Sequence, residues 1–164
     1  SKKNRTIHLV CGGGSGAALM RRLVDEGWDI TTGVLNIIDT DYEVATALGI
    51  PIASEAPFSH ITEAAHQQNL KLIHNSDIVL VADFLVGPGN IMNLKAAKAA
   101  LESGLPTVLI SADTIGDRDF TDGEATTLVK KLIDIGAKVT NGLDETLTHI
   151  ETLRMNSLKK GVIT

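Results

Sequence analysis

The sequence predicts an α/β protein with a Rossmann-like, doubly wound parallel sheet of about six strands, in a three-layer α/β/α arrangement. Two observations carry this prediction. Short runs rich in valine, isoleucine and leucine recur along the chain, and most are continuous rather than alternating with polar residues, as is typical of parallel strands covered on both faces. Each run is followed by a segment with helical periodicity, and the loops between them are short.

The elements alternate strictly along the chain. The predicted strands are Thr6–Cys11, Ile30–Leu35, Pro51–Ala53, Ile78–Ala82, Thr107–Ile110 and Lys138–Thr140. The predicted helices are Ala17–Glu26, Tyr42–Leu48, Glu63–His74, Ile91–Glu102, Asp122–Ile135 and Asp144–Leu158. Capping boxes, in which a glutamate follows a threonine by three positions, predict two helix starts: Thr40 with Glu43, and Thr121 with Glu124. Glycine ends four of the helices: Gly27, Gly49, Gly104 and Gly136.

Length and composition limit the classes of protein. A chain of 164 residues suits one domain spanning 1–164. The net charge of −5 argues against a nucleic-acid partner and against an anionic membrane surface, and the aromatic content of 3% adds to the first argument. A single cysteine excludes an internal disulfide and is typical of a reducing cytoplasm, the expected location. The start at Ser1, without methionine, is expected of a domain cut from a longer protein, and a processed N-terminus or a tag remnant is the alternative.

The most informative motif is the glycine turn, which lies between the first predicted strand and the first predicted helix. It consists of Gly12, Gly13, Gly14, Ser15 and Gly16. Glycine lets the chain turn sharply and lets a ligand approach the main chain. The helix N-terminus behind it offers unpaired amides and a partial positive charge. The motif predicts a backbone site for a phosphate or carboxylate, and a tight turn without a ligand is the alternative.

The turn matches one nucleotide-binding pattern and lacks another. Gly12, Gly14 and Ala17 satisfy the G-x-G-x-x-A pattern of dinucleotide-binding units. The second predicted strand is followed by Asn36, and the first carboxylate after it is Asp39, so the usual ribose-binding acid is missing, which argues against NAD. No lysine follows the glycines, so the turn is not a P-loop. The cofactor is left open, with a nucleotide as the candidate.

A second loop follows the fourth predicted strand at the same edge of the sheet. Asp83 begins it, and Gly87, Gly89 and Asn90 come directly before the next helix. In the commonest strand order this loop lies beside the glycine turn, so that two helix N-termini face one crevice. Asp83 is then a candidate contact for a hydroxyl or a base of the ligand. The alternative is that the loop only starts the helix.

Polar residues after the second and fifth strands complete the candidate site. Asn36 and Asp39 are candidates for contacts to a hydroxyl or a base of the ligand. The sequence leaves three roles open for Asp39 and Asp41. They accept hydrogen bonds from hydroxyl groups of a ligand, help to bind a cation, or stabilise the N-terminus of the helix that follows them. Arg118 either clamps a phosphate or carboxylate or pairs with the aspartates that flank it.

The sequence predicts a site that binds and does not react. It contains no nucleophile elbow, kinase signature or pair of catalytic carboxylates. The five histidines lack metal-ligand spacing and are predicted to lie on the surface. Cys11 is predicted to be a small core residue. No catalytic residue and no metal site is therefore expected.

Several stretches together resemble one family. They are Ile7–Gly16, Gly33–Asn36 with Asp39 and Asp41, Glu55–Ser59, Gly87–Asn90 with Asn93 and Leu94, and Arg118–Thr121. The family is the domain found C-terminal to the ATPase domain in archaeal ABC transporter ATP-binding proteins of the iron-chelate (siderophore, haem) and cobalamin uptake class. The resemblance covers nearly the whole chain. It implies an upstream ATPase domain, a membrane permease as partner of the parent chain, and a location at the inner face of the membrane.

A looser similarity runs to lysine-decarboxylase-like phosphoribohydrolases, which share a glycine-rich first turn and a later Pro-Gly loop. Their motif P-G-G-x-G-T-x-x-E meets Pro88–Lys95 here, without the Gly-Thr pair and the glutamate. The leading hypothesis is a binding and regulatory domain of an importer's ATPase subunit, which holds an anionic small molecule at the glycine turn. The alternatives are a nucleotide-processing enzyme of the phosphoribohydrolase type and a module that forms a homodimer without a ligand.

Overall fold

The computed structural model describes residues 5–56, 61–82, 90–111 and 123–159. The strands within these ranges are β1 (Thr6–Val10), β2 (Asp29–Leu35), β3 (Ile52–Glu55), β4 (Ile78–Val81), β5 (Thr107–Ser111) and β6 (Lys138–Asn141). The helices are α1 (Ala17–Asp25), α2 (Thr40–Ala47), α3 (Glu63–His74), α4 (Asn90–Glu102), α5 (Gly123–Asp134) and α6 (Gly142–Lys159). None of these described helices is both long and apolar enough to span a bilayer.

The sheet is parallel throughout, in the order β3-β2-β1-β4-β5-β6. The chain winds outward from β1 to β3, crosses back, and continues outward from β4 to β6. β1 lies near the centre, with Thr6 opposite Asp29 of β2 and Ile7 opposite Ile78 of β4. The carboxyl ends of β1 and β4 therefore lie side by side where the winding reverses, which is where sheets of this kind bind ligands.

Helices cover both faces of the sheet. α1, α2 and α6 pack on the face to which β1 contributes Ile7 and Leu9, and α3, α4 and α5 pack on the face to which it contributes Val10. Because both faces are covered, a central strand is apolar on both sides, and every residue of β4 is buried. The predicted fold class, a doubly wound parallel sheet in three layers, is confirmed.

The helix ends agree with the predictions at glycine and disagree at one threonine. The four predicted C-terminal caps have positive φ: Gly27 (85°), Gly49 (70°), Gly104 (79°) and Gly136 (116°). The capping box at Thr40 is wrong, because α2 already includes Thr40 and its N-cap is Asp39. The side chain of Asp39 accepts no capping hydrogen bond from α2. Thr121, the other predicted cap, lies outside the described residues.

The prediction that the histidines lie on the surface is wrong for His8 and His66, which are both buried. In β1, the Nδ1 of His8 lies 2.7 Å from Oγ1 of Thr31, and its Nε2 lies 2.5 Å from Oδ1 of Asn69. Burial lowers the pKa of His8 to about 4, although the bond to Asn69 acts in the opposite direction. His8 fits a central strand because both of its ring nitrogens have partners.

Candidate functional site

The glycine turn lies at the carboxyl end of β1, where the chain leaves the sheet and enters α1. Gly13 and Gly14 have φ values of 61° and 88°, which only glycine adopts at low cost. Gly16 is the N-cap of α1 and has no side chain with which to cap the helix. The predicted succession of strand, glycine turn and helix is confirmed, and it stands at the point where the winding of the sheet reverses.

The first half of the turn is closed by a serine and an aspartate. The amide of Gly12 donates to Oγ of Ser15 at 3.2 Å, and Oγ of Ser15 donates to the carbonyl oxygen of Gly12 at 2.7 Å. The amide of Ser15 donates to that same carbonyl oxygen at 3.1 Å. The amide of Gly13 donates to Oδ2 of Asp39 at 3.3 Å.

The second half of the turn is held by Asp41, which caps α1 although it belongs to α2. Its carboxylate accepts from the amides of Gly14 at 3.1 Å and Gly16 at 3.0 Å, and also from Ala17. Burial raises the pKa of Asp41, the three amides oppose that rise, and the charge of Asp39 adds to it. The anion held at this helix N-terminus is thus a carboxylate of the chain itself. The sequence did not anticipate this role for Asp41.

The loop between β2 and α2 places Asp39 against the glycine turn. Asn36 is buried, its Oδ1 accepts from the amide of Ile38 at 3.2 Å, and its carbonyl oxygen accepts from the amide of Asp39 at 2.9 Å. Asn36 therefore organises this loop from within. Ile37 and Ile38 are 56% and 77% exposed, so they form an apolar surface on the same loop as Asp39.

Gly16 leaves no room for a side chain. A Cβ at this position would lie 2.5 Å from Sγ and 2.7 Å from Cβ of Cys11, which is buried as predicted. We expect Gly16→Ala to lower the free energy of unfolding by about 2 kcal/mol through overpacking. Urea denaturation measures this, with Gly123→Ala as the control, because no atom of the described residues lies within 4 Å of a Cβ at Gly123. Equal losses in the two variants would contradict the close packing of Gly16.

A cavity of about 240 Å³ lies at the same edge of the sheet, between the beginnings of α1 and α6. Its walls include Ser15 and Leu19 beside the glycine turn, Ala82 and Ser111 at the ends of β4 and β5, and Leu143 of α6. Apolar groups dominate this lining, and the two serines supply hydroxyl groups. The cavity offers the body of a ligand a place beside the glycine turn.

Part of the predicted site lies outside the described residues, namely Asp83, Gly87, Gly89 and Arg118. Asn90 is the first residue of α4, and only its backbone is described. Of the predicted residues that the structure describes, Gly12 to Gly16 and Asp39 come together in one cluster, with Asn36 behind them. Within the described ranges no group of three or more histidine, cysteine, aspartate or glutamate residues could hold a metal ion.

The sequence model of the MJ0874 family matches residues 30–147, more than half of the chain. The chain belongs to the MJ0874 family. The matched span begins in β2 and includes both Asp39 and Asp41. A relative is the uncharacterized protein MJ0874 of Methanocaldococcus jannaschii, which is 36% identical over 67 residues, or 41% of this chain and 72% of that protein.

This MJ0874 family member is also similar to part of a transporter ATP-binding protein in sequence and to a decarboxylase in fold. The cobalamin import ATP-binding protein BtuD of Halobacterium salinarum is 28% identical over 117 residues, which are 71% of this chain and 28% of BtuD. The chain therefore spans less than a third of that relative's length. The solved structure of the FMN-dependent cysteine decarboxylase TvaF from thioviridamide biosynthesis has a TM-score of 0.56 and 15% identity, covering 93% of this chain and 97% of that one. This likeness shows a shared fold.

Proposed function

We propose that this MJ0874 family member is a binding and regulatory domain of the ATP-binding subunit of an importer for cobalamin or iron chelates. Its ligand in this proposal is an anionic small molecule of the nucleotide class, bound at the glycine turn. The observation that carries the importer part is the alignment of 71% of the chain with BtuD, whose name states cobalamin import. An ATPase domain and a membrane permease are then partners within the longer protein and its complex, and the domain works on the cytoplasmic side.

In this proposal the phosphate of the ligand binds to the amide of Gly13, where it takes the place of the carboxylate of Asp39. Asp39 is partly exposed and its bond to this amide is long, at 3.3 Å. Asp41 is fully buried and holds several amides at once. A phosphate oxygen therefore displaces the carboxylate of Asp39 at lower cost than that of Asp41, because an exposed carboxylate regains its hydration when it swings away. The domain binds its anionic ligand in competition with its own aspartate.

The rest of the ligand has two surfaces available near the glycine turn, the cavity and the exposed loop before α2. The cavity beside Ser15 and Ser111 has a mainly apolar lining, and the hydroxyl groups of these two serines can bond to the hydroxyls of a sugar. Ile37 and Ile38 offer exposed apolar surface to a flat base. The cavity and the two isoleucines contact the sugar and the base, whereas Gly13 contacts only the phosphate. Inorganic phosphate, which lacks a sugar and a base, therefore binds more weakly than a nucleotide.

The variant Asp39→Asn tests this competition. We expect it to bind AMP about tenfold more tightly than the wild-type domain, because a like charge beside the phosphate is removed. Isothermal titration calorimetry with AMP measures the affinity, and inorganic phosphate serves as the probe without a base and sugar. Asp25→Asn, at the opposite end of α1, makes the same change in net charge and is expected to leave the affinity unchanged.

Equal affinities of the two variants and the wild type would contradict the placement of the phosphate at Gly13.

Mass spectrometry of molecules that co-purify with the native domain tests the ligand class without a choice of probe. A nucleotide in that preparation supports the proposal. A corrinoid in its place would contradict the nucleotide as ligand and would indicate that the domain binds the molecule that the importer transports. A preparation without any bound small molecule, together with no heat from AMP, would contradict the binding function.

A further inference from the structure

The other edge of the sheet, where the strands begin, carries a groove of about 830 Å³. Its lining includes Arg5 before β1, Trp28 before β2, and Leu147 and Met155 of α6. Arg5 and Trp28 are neighbours because the residues that follow them are paired across the two strands. The groove lies at the opposite ends of the strands from the glycine turn, so what it binds is independent of the function proposed above.

The guanidinium of Arg5 is held in place without full compensation of its charge. Arg5 is only 6% exposed, and its Cζ lies 4.6 Å from the centre of the Trp28 ring. Its Nε is buried and has no hydrogen-bond acceptor among the residues that the structure describes. The face of an indole attracts a cation but does not replace a hydrogen-bond acceptor. A buried cation in this state gains free energy from any oxyanion that reaches it.

The other charged side chains that the structure describes in the groove are already paired. Nε of Arg154 donates to both carboxylate oxygens of Glu151, at 2.9 and 3.0 Å. On the other side Glu26 pairs with Arg22 at 3.1 Å. Burial lowers the pKa of Arg5, the positive charge of Arg154 lowers it further, and Glu151 opposes them. Arg5 is thus left beside a second arginine whose own carboxylate is engaged.

We propose that this groove is a second binding site, for a small molecule that joins an oxyanion to an apolar body. The oxyanion, a carboxylate or a phosphate group, accepts hydrogen bonds from the guanidinium of Arg5 and compensates its charge. The apolar body packs against Trp28, Leu147 and Met155. The volume of the groove lies within the range of small-molecule sites, and its mixture of apolar surface and a few polar groups is typical of them.

Fluorescence of Trp28 reports on this groove directly, because it is the only tryptophan in the chain. The probes are hexanoate, hexyl phosphate and 1-hexanol, which share an apolar tail and differ in charge. We expect a saturable change with both anions and binding of the alcohol that is about tenfold weaker. The anion that binds more tightly identifies the chemical source of the oxyanion. Equal binding of the alcohol and the anions, or no saturable change, would overturn the proposal.

The matched variants assign the effect to one arginine. Arg5→Gln is expected to remove the advantage of the anions over 1-hexanol, whereas Arg21→Gln, at an exposed position of α1 that does not line the groove, is expected to keep it. Circular dichroism establishes that each variant is folded. If Arg5→Gln fails to fold, the comparison of anions with the alcohol on the wild-type protein still decides. An unchanged preference for anions in folded Arg5→Gln would overturn the role of Arg5.

Discussion

Replacing Asp41 by alanine is expected to lower the free energy of unfolding by about 3 kcal/mol at pH 7. The amides of Gly14, Gly16 and Ala17 at the start of α1 lose their shared acceptor, and the position of Asp41 has no exposed surface from which water can replace it. The wild-type protein bears the free-energy cost of burying this carboxylate, a burial that also raises the pKa of Asp41. Because the alanine variant avoids that cost, its loss of stability is smaller than the sum of three hydrogen bonds. The expected fall in Tm is about 6–12 °C.

Two further variants make this result specific. Asp41→Asn keeps one oxygen as an acceptor and is expected to lose about half as much. Asp39→Ala removes a single bond of 3.3 Å from a partly exposed residue and is expected to cost about 0.5 kcal/mol. Thermal and urea unfolding measure all three variants. If Asp41→Ala loses no more than Asp39→Ala, the carboxylate of Asp41 does not hold α1 to the turn.

The buried His8 is expected to make the protein less stable as the pH falls. Burial lowers its pKa to about 4 in the folded state, from 6.5 in the unfolded chain. Between these pH values the unfolded chain takes up a proton that the folded state refuses. Stability is therefore lost as the pH falls from 6.5 towards 4, by up to about 3 kcal/mol.

The variant His8→Gln separates this effect from those of other titrating groups. Burial raises the pKa of Asp41, so this residue adds to the stability of the folded state as the pH falls. Burial lowers the pKa values of His66 and His149, so these residues reduce the stability as the pH falls, as His8 does. These contributions are common to both proteins, so the difference in unfolding free energy between wild type and variant isolates His8. We expect the advantage of the wild type to shrink by about 3 kcal/mol from pH 7 to pH 4. A difference that stays constant with pH would contradict it.

The fold follows from local signals that all act within a few residues. Continuous apolar runs mark strands that are covered on both faces, as β4 shows, and a glycine with positive φ such as Gly27 marks where a helix stops. These signals place each described element within about two residues of its prediction. The error at Thr40 has a local cause, because Asp39 takes the N-cap position with an extended backbone and turns its side chain toward Gly13.

The site depends on pairings that no local signal carries. Asp41 reaches Gly16 across 25 positions because β2 lies beside β1, and His8 meets Asn69 across 61 positions because α3 packs on the sheet beside β2. The sequence predicted an anion at the turn, but it gave no sign that the carboxylate of Asp41 would supply one. The groove at Arg5 and Trp28 had a usable signal, since both residues lie just before the starts of the first two strands, which are neighbours in a doubly wound sheet.

Amide resonances of the glycine turn give the most direct test of the central claim, that a small anionic ligand binds here by displacing Asp39. Uniformly ¹⁵N-labelled protein is titrated with AMP, and the amides of Gly13, Gly14 and Gly16 are followed. We expect a large, saturable shift at Gly13, whose amide exchanges the carboxylate of Asp39 for a phosphate, and small shifts at Gly14 and Gly16, whose amides stay bonded to Asp41. Shifts confined to residues outside Gly12–Gly16, or equal small shifts throughout the turn, would contradict it.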